Sequence, residues 1–290
     1  MGGHLPLIVN FAPTGMVPTK TTTPYVPVGV SEIVEAVHEA VEIGITVVHL
    51  HARDERSGAP THNPDVYARI IEGVREVAPD LVVCVSLSGR AGGSLEQRCA
   101  PLAMKGALKP DMASVTLGSV NFSRDVSLND PATVRALLGA VDRSGVLPEL
   151  EVFDLGMANV ARYLVRKGVL RPPHYANLIL GNPAGAQADL AHAGMLVRDL
   201  PPDTYWAMGG IGVAQVTANA FAVAAGGGVR VGVEDSLWYD RGRSRLATNR
   251  DLLLRVHRLA EIHERPVMTS REFRRRLGLA GGNGLYGRRG

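Results

Sequence analysis

A closed barrel of eight parallel strands, each followed by a helix, is the fold predicted for this 290-residue chain, and three observations predict it. Short β-branched runs alternate with amphipathic helical patterns along the chain, the pattern of right-handed βαβ units. The alternation occurs eight times, the number that closes a (β/α)8 TIM barrel. Polar and charged residues collect on one face of several strands, mostly near their C-terminal ends, where barrel enzymes carry their chemistry. An open doubly wound sheet is the competing arrangement, but no G-x-G-x-x-G follows the first strand. No linker, repeat or low-complexity tract divides the chain, so a single α/β domain is expected over 1–290.

The expected strands, in order, are 5–11, 45–51, 81–88, 112–118, 147–154, 176–181, 204–208 and 229–234. Between them the expected helices are 31–43, 64–77, 95–104, 131–142, 157–167, 185–198 and 213–225, with 248–264 after the eighth strand. The first is typical: Ser31 is placed to cap it, and Ile33, Val34, Val37 and Val41 recur at helical spacing. The tail from about 266, ending AGGNGLYGRRG, is Gly- and Arg-rich and reads as loose or as an oligomer contact.

Composition bounds the function. A chain this long buries roughly 75% of its unfolded surface, so it needs neither disulfide nor metal merely to hold a core. Hydrophobic residues make up 46% and charged residues 20%, ordinary for a globular protein. The net charge of +3, with no basic patch interleaved with aromatics, does not suggest nucleic acid. No apolar run is long enough for a membrane span. Cys84 and Cys99 follow no secretory signal and read as free thiols in a cytoplasmic protein.

Strand alternation decides which side chains meet. In VVHLHARD, Val48 and Leu50 face the helices, so Val47, His49 and His51 face the barrel axis. By the same rule Cys84, Ser86 and Ser88 point inward, as do Ser114 and Thr116, Glu149 and Glu151, and Arg230 and Glu234; Asn10 points inward from the first strand. A barrel interior is normally Val, Ile and Leu, and an unpaired buried charge costs several kcal/mol, so these groups need partners or a cation.

A lone inward histidine would read as a satisfied core residue. Two at H-x-H spacing, with Glu234 arriving from another strand, make the two-His, one-carboxylate set of a catalytic zinc site. Arg230 and Asp235 read either as a structural ion pair or as a substrate-carboxylate clamp with a general base. Glu149 and Glu151 are each open to three readings: support of the metal, a base, or a partner for Arg230. Glu151 lies nearer the catalytic end of its strand.

HLHARD, PDMASVTLGSVNF, PELEVFDLGM, LILGNPAG and GGGVRVGVED, in that order, resemble the β-keto acid cleavage enzyme family over residues 5 to about 280. The resemblance implies a zinc-bearing (β/α)8 barrel, usually a homotetramer. The implied reaction converts a 3-oxo acid and acetyl-CoA to acetoacetate and a new acyl-CoA. It implies His49, His51 and Glu234 as metal ligands, Arg230 and Asp235 as catalytic residues, and Glu149 or Glu151 as a functional glutamate. The family's substrate loop falls on Ser86, Leu87, Ser88, Gly89 and Arg90, with Thr116 and Asn10 also toward substrate.

Two departures bear on the substrate. NFAP, Asn10 to Pro13, stands where many members carry NGAE, and Arg90 stands where many carry glycine. Together they argue against an aminated substrate and for a neutral or anionic one. Two other classes are weighed. A hydrolase of the amidohydrolase kind normally carries its H-x-H on the first strand and more histidines at strands five and six; here strand five ends in Glu and Asp, and His174 precedes strand six. A non-catalytic ligand-binding barrel has little reason to keep an open metal position beside an arginine and an aspartate.

Overall fold

The computed structural model of the protein describes residues 5–90 and 92–289. Eight parallel strands close a barrel: β1 (Val9–Phe11), β2 (Val47–Leu50), β3 (Val82–Ser86), β4 (Met112–Thr116), β5 (Leu147–Val152), β6 (His174–Leu180), β7 (Thr204–Gly210) and β8 (Gly228–Val231). Each pairs with its neighbours in sequence, and β1 closes on β8 with Asn10 opposite Arg230. Around it run α1 (Val30–Ile43), α2 (Pro64–Val77), α3 (Leu95–Cys99), α4 (Pro131–Arg143), α5 (Leu155–Arg166), α6 (Leu190–Asp199), α7 (Ala214–Ala224) and α8 (Asn249–Ile262). This is the predicted single-domain (β/α)8 barrel.

Local chemistry sets the helix starts. Asn63, Asp130, Asp154, Asp189 and Thr248 each accept a backbone N–H in the first turn of α2, α4, α5, α6 and α8, and Pro64 and Pro131 sit where the missing N–H costs nothing. The aspartate that ends the expected fifth strand is therefore a helix cap. Ser31 is not a cap: α1 starts one residue earlier, and the Glu32 carboxylate accepts from the N–H groups of Val28 and Gly29. The segment expected as helix 95–104 is α3 followed by a 3-10 turn over Ala100–Ala103, because Pro101 has no N–H to continue the ladder.

The largest departure is the tail. Residues 266–289 are not loose. They form α9 (Ser270–Leu277), whose Phe273 and Leu277, with Met268 and Leu279, pack against Ile8, Val47, Val82, Cys84, Met112, Leu147, Tyr175 and Ala207 and plug the N-terminal mouth of the barrel. Arg274 from this plug and Arg75 from α2 both pair with the fully buried Asp111. Leu7 and Val267 form a further bridge between the two ends of the chain. The Gly- and Arg-rich composition hid this, because the buried Arg274 spends its charge on Asp111, far away in sequence. Among the described residues no helix is long and apolar enough to cross a membrane, and Cys84 and Cys99 are free.

Candidate active site

Above the apolar plug the barrel turns polar. His49 lies in β2 and His51 just beyond it, so the pleat puts both rings on the axis, with Nε2 atoms 3.2 Å apart. Glu234 does not lie on β8, as the alternation suggested. The strand stops at Val231, and a turn carries Glu234 over the barrel end. Two glycines permit this. A Cβ on Gly232 would collide with the Ala12 carbonyl, and one on Gly15, at φ +66°, would sit 2.5 Å from the Glu234 Cγ. The result is a Glu234 Oε1 at 3.2 Å from His51 Nε2 and 4.0 Å from His49 Nε2.

These three donors fit a divalent ion. Bonds of 2.0–2.1 Å to a tetrahedral ion space its ligand atoms about 3.3 Å apart. The second carboxylate oxygen of Glu234, Oε2, is buried with no hydrogen-bond partner among the described residues. The other nitrogen of His49, Nδ1, is 2.6 Å from Glu149 Oε1, which orients the ring and leaves Nε2 for a metal. Burial opposes a charged His49, yet Glu149 and Glu234 raise its pKa above the ordinary histidine value. Burial likewise pushes Glu234 up, but His51, Arg230 and His49 hold it well below the usual carboxylate range. The cluster attracts positive charge. Cys84 also lies near His49 and Glu149, but burial, then the charge of Glu149, pushes its thiol well above its usual pKa, so it stays protonated and is a poor ligand.

The two glutamates part company. Glu149 is fully buried, bonded to His49 and to Asn10 Nδ2 at 2.8 Å. Glu151 faces the cavity, where its Oε2 accepts the Thr116 hydroxyl at 2.6 Å and its Oε1 lies 3.8 Å from Arg230 Nη1. Arg230 is held on two sides, with Nε donating to Asp235 Oδ2 at 2.8 Å and Nη2 to Glu234 Oε1 at 2.5 Å, while the buried Nη1 has no hydrogen-bond partner among the described residues. Arg230 favours the ionised form of Asp235 but does not act alone. Burial and then the neighbouring Glu234 outweigh the arginine, and the Asp235 carboxyl is raised above its ordinary pKa.

A cavity of about 540 Å³ opens over this cluster, a size suited to a small-molecule site. It brings together His51, Ser86, Ser88, Arg90, Thr116, Glu151, Arg230, Glu234 and Asp235 of the expected residues. It leaves out two. Asn10 is fully buried, where its Nδ2 donates to Glu149 Oε2 and the Tyr175 hydroxyl, and it does not border the cavity. Gly89 packs on the Arg98 guanidinium, which itself ties Leu87 O to Asn129; a side chain there would press on Arg98 rather than on a ligand. Pro13 does not border the cavity either; its carbonyl accepts a hydrogen bond from Asn249 Nδ2. Arg90 does border it, paired with Asp125 at 2.9 Å and stacked over Phe122 at 3.7 Å.

Sequence reasoning missed the walls. Phe122, from a small hairpin (Val120–Asn121 with Val126–Ser127), and Trp238 and Arg243, from the loop after β8, line the cavity. An aromatic in a βα loop was the only signal for them. Arg53, the arginine of HARD, is buried and binds the carbonyls of Gly15, Pro18 and Gly58, fixing the loop that carries Met16 and Val17 into the cavity wall.

The profile of the beta-keto acid cleavage enzyme family (BKACE) matches residues 6–279. The 3-oxoadipate:acetyl-CoA acetyltransferase of Cupriavidus necator is 36% identical over 277 residues, 94% of this chain and 95% of that protein. The 3-keto-5-aminohexanoate cleavage enzyme of Acetoanaerobium sticklandii is 33% identical over 275 residues, 94% of this chain and 98% of that protein. Among solved structures, apo ObcA superimposes with a TM-score of 0.77 at 21% identity, covering 88% of this chain and 66% of ObcA, which supports the fold alone. The family profile spans nearly the entire barrel, and full-length relatives of this similarity match from end to end: the chain belongs to the beta-keto acid cleavage enzyme family.

Proposed function

We propose that this enzyme is a zinc-dependent transferase that converts a 3-oxo acid and acetyl-CoA into acetoacetate and a new acyl-CoA. In that exchange the C2–C3 bond of the 3-oxo acid and the thioester bond of acetyl-CoA break. The two-carbon carboxylate unit joins the acetyl carbonyl carbon, the coenzyme A sulfur joins C3, and nothing is oxidised or reduced. The observation that carries the reading is the meeting, over one cavity, of the His49–His51–Glu234 cluster with the buried Arg230–Asp235 pair.

Each residue then has a task. His49, His51 and Glu234 would hold a divalent ion, which would supply a Lewis acid for a keto oxygen. Arg230 offers the unpartnered Nη1 to the substrate carboxylate, with the Ser86 and Ser88 hydroxyls bordering the same space. Asp235, bonded to Arg230 on the cavity wall, takes and returns a proton; Glu151, held by Thr116, is the other base within the cavity. Glu149 and Asn10 hold His49 in place from below.

Purified protein is to be incubated with a panel of 3-oxo acids, with and without acetyl-CoA, and the products read by mass spectrometry. Acetoacetate and acyl-CoA in equal amounts are expected; hydrolysis independent of acetyl-CoA would replace this reading with a hydrolase. Elemental analysis is expected to find one zinc per chain. His51→Ala should lose that ion while its circular dichroism stays that of the native barrel, since the core is apolar and independent of the site. A fully active, metal-free protein would refute the metal role.

The same panel tests the substrate side chain. The carboxylates on the cavity wall, Glu151, Glu234 and Asp235, all surround Arg230, so none is left for an ammonium. Amine-bearing 3-oxo acids are expected to show kcat/KM at least about tenfold below neutral analogues of the same length, the worth of one charged hydrogen bond. An amine-bearing acid as the best substrate would contradict this.

A further inference from the structure

Three arginines line the cavity, and two of them are spoken for. Arg230 is enclosed by Glu151, Glu234 and Asp235, and Arg90 is paired with Asp125 and laid on Phe122. Arg243 is the third. Among the described residues no carboxylate lies within ion-pair distance of it, and its side chain makes no hydrogen bond, whereas Arg241 and Arg245 on either side bond Thr217 and Asp251.

The backbone around Arg243 is built rather than slack. Trp238 and Leu246 bridge, and Tyr239 N–H donates to Arg245 O. At the tip, the Asp240 carboxylate accepts the N–H groups of Ser244 and Arg245, and Arg243 is held at φ +55°. That is the left-handed region, which is strained for a non-glycine residue. The tip thus holds a guanidinium without an ion-pair partner among the described residues, on a cavity whose lining includes the apolar Met16, Val17, Leu237 and Trp238.

We propose that Arg243 binds an anionic group that a substrate carries at a distance from its reacting carbons. Within the reaction proposed above, on which this inference rests, two groups have that chemistry: a phosphate of the coenzyme A thioester, and the far carboxylate of a dicarboxylic 3-oxo acid.

The test uses Arg243→Asn, which removes the charge and tolerates the left-handed backbone, and Arg243→Lys, which restores the charge without the planar fork. Two ratios of kcat/KM are measured: 3-oxoadipate over 3-oxohexanoate, and acetyl-CoA over S-acetylpantetheine, which lacks the phosphates. One ratio is expected to fall about 10- to 100-fold in Arg243→Asn, the range for a hydrogen bond to a charged group, with partial recovery in Arg243→Lys. A fall in the first assigns the far carboxylate, and a fall in the second assigns the phosphate. Both ratios within threefold of wild type would overturn the proposal. Calorimetric binding of coenzyme A and of 3-oxoadipate gives the same comparison without turnover. A wild-type protein that binds them but makes no acyl-CoA would refute the reaction, whereas equal binding by wild type and Arg243→Asn would refute the role of Arg243.

Discussion

Asp235→Asn is expected to lower kcat by about 10²–10⁴-fold, the usual worth of a positioned general base, while leaving the bound metal in place. The separation of the two effects follows from geometry. The Asp235 oxygens engage Arg230 Nε at 2.8 Å and Nη2 at 3.4 Å, and Asp235 is not among the three residues whose donor atoms converge between the histidines. Asparagine keeps the shape and one acceptor oxygen, so the arginine stays in place and only the proton-accepting charge is lost. Steady-state kinetics and elemental analysis on the same preparation check both halves. Loss of metal would make Asp235 a ligand, and near-normal turnover with full metal would transfer the role to Glu151.

The largest effect on stability is expected far from the cavity. Asp111 is fully buried, with Oδ1 accepting from Arg274 Nη1 at 2.7 Å and Gly287 N at 3.1 Å, and Oδ2 from Arg75 Nη2 and Arg274 Nη2, both at 2.7 Å, and Val83 N at 3.0 Å. Asp111→Asn leaves two buried guanidinium groups without a counter-charge and is expected to cost about 3–5 kcal/mol in denaturant unfolding. Asp142→Asn, which breaks only exposed pairs with Arg171 and Arg288, should cost less than about 1 kcal/mol. Similar losses for the two variants would show that the C-terminal plug is not held through Asp111.

The pH dependence of that difference has a definite sign. Burial alone would raise the Asp111 pKa, but Arg75 and Arg274 bring it below the ordinary aspartate value. A depressed carboxylate adds stability above its unfolded pKa of about 3.9 and loses it as pH falls through the folded value. The stability gap between wild type and Asp111→Asn should therefore be full near neutrality and narrow in acid. A gap that widened on acidification would contradict the assignment.

The contrast between Asp111 and the active-site residues shows where one-dimensional reading works. The barrel, the inward direction of His49, His51, Glu149, Glu151 and Arg230, and the H-x-H with a distant glutamate were all legible along the chain. They rest on the period-two alternation of a strand and on the excess of charge where Val or Leu belongs. Family resemblance added the reaction class, and the full-length match bears out membership.

Only the tertiary structure decided the rest. Spacing puts Glu149 and Glu151 on one face with Glu151 nearer the catalytic end, but not their partners: one is bonded to His49 under the floor and the other to Thr116 at the wall, because depth along a tilted strand depends on how the barrel closes. Asn10 was inward, as alternation requires, but below the cavity. The arginine-rich tail became a plug because Arg274 finds Asp111 across 163 residues, and Arg243 became conspicuous only because every other arginine on the cavity wall has a carboxylate beside it. Alternation tells which side of a strand a residue takes. Whether a charge there is paired, buried or free depends on groups from other elements, and those are brought together only by the closed fold.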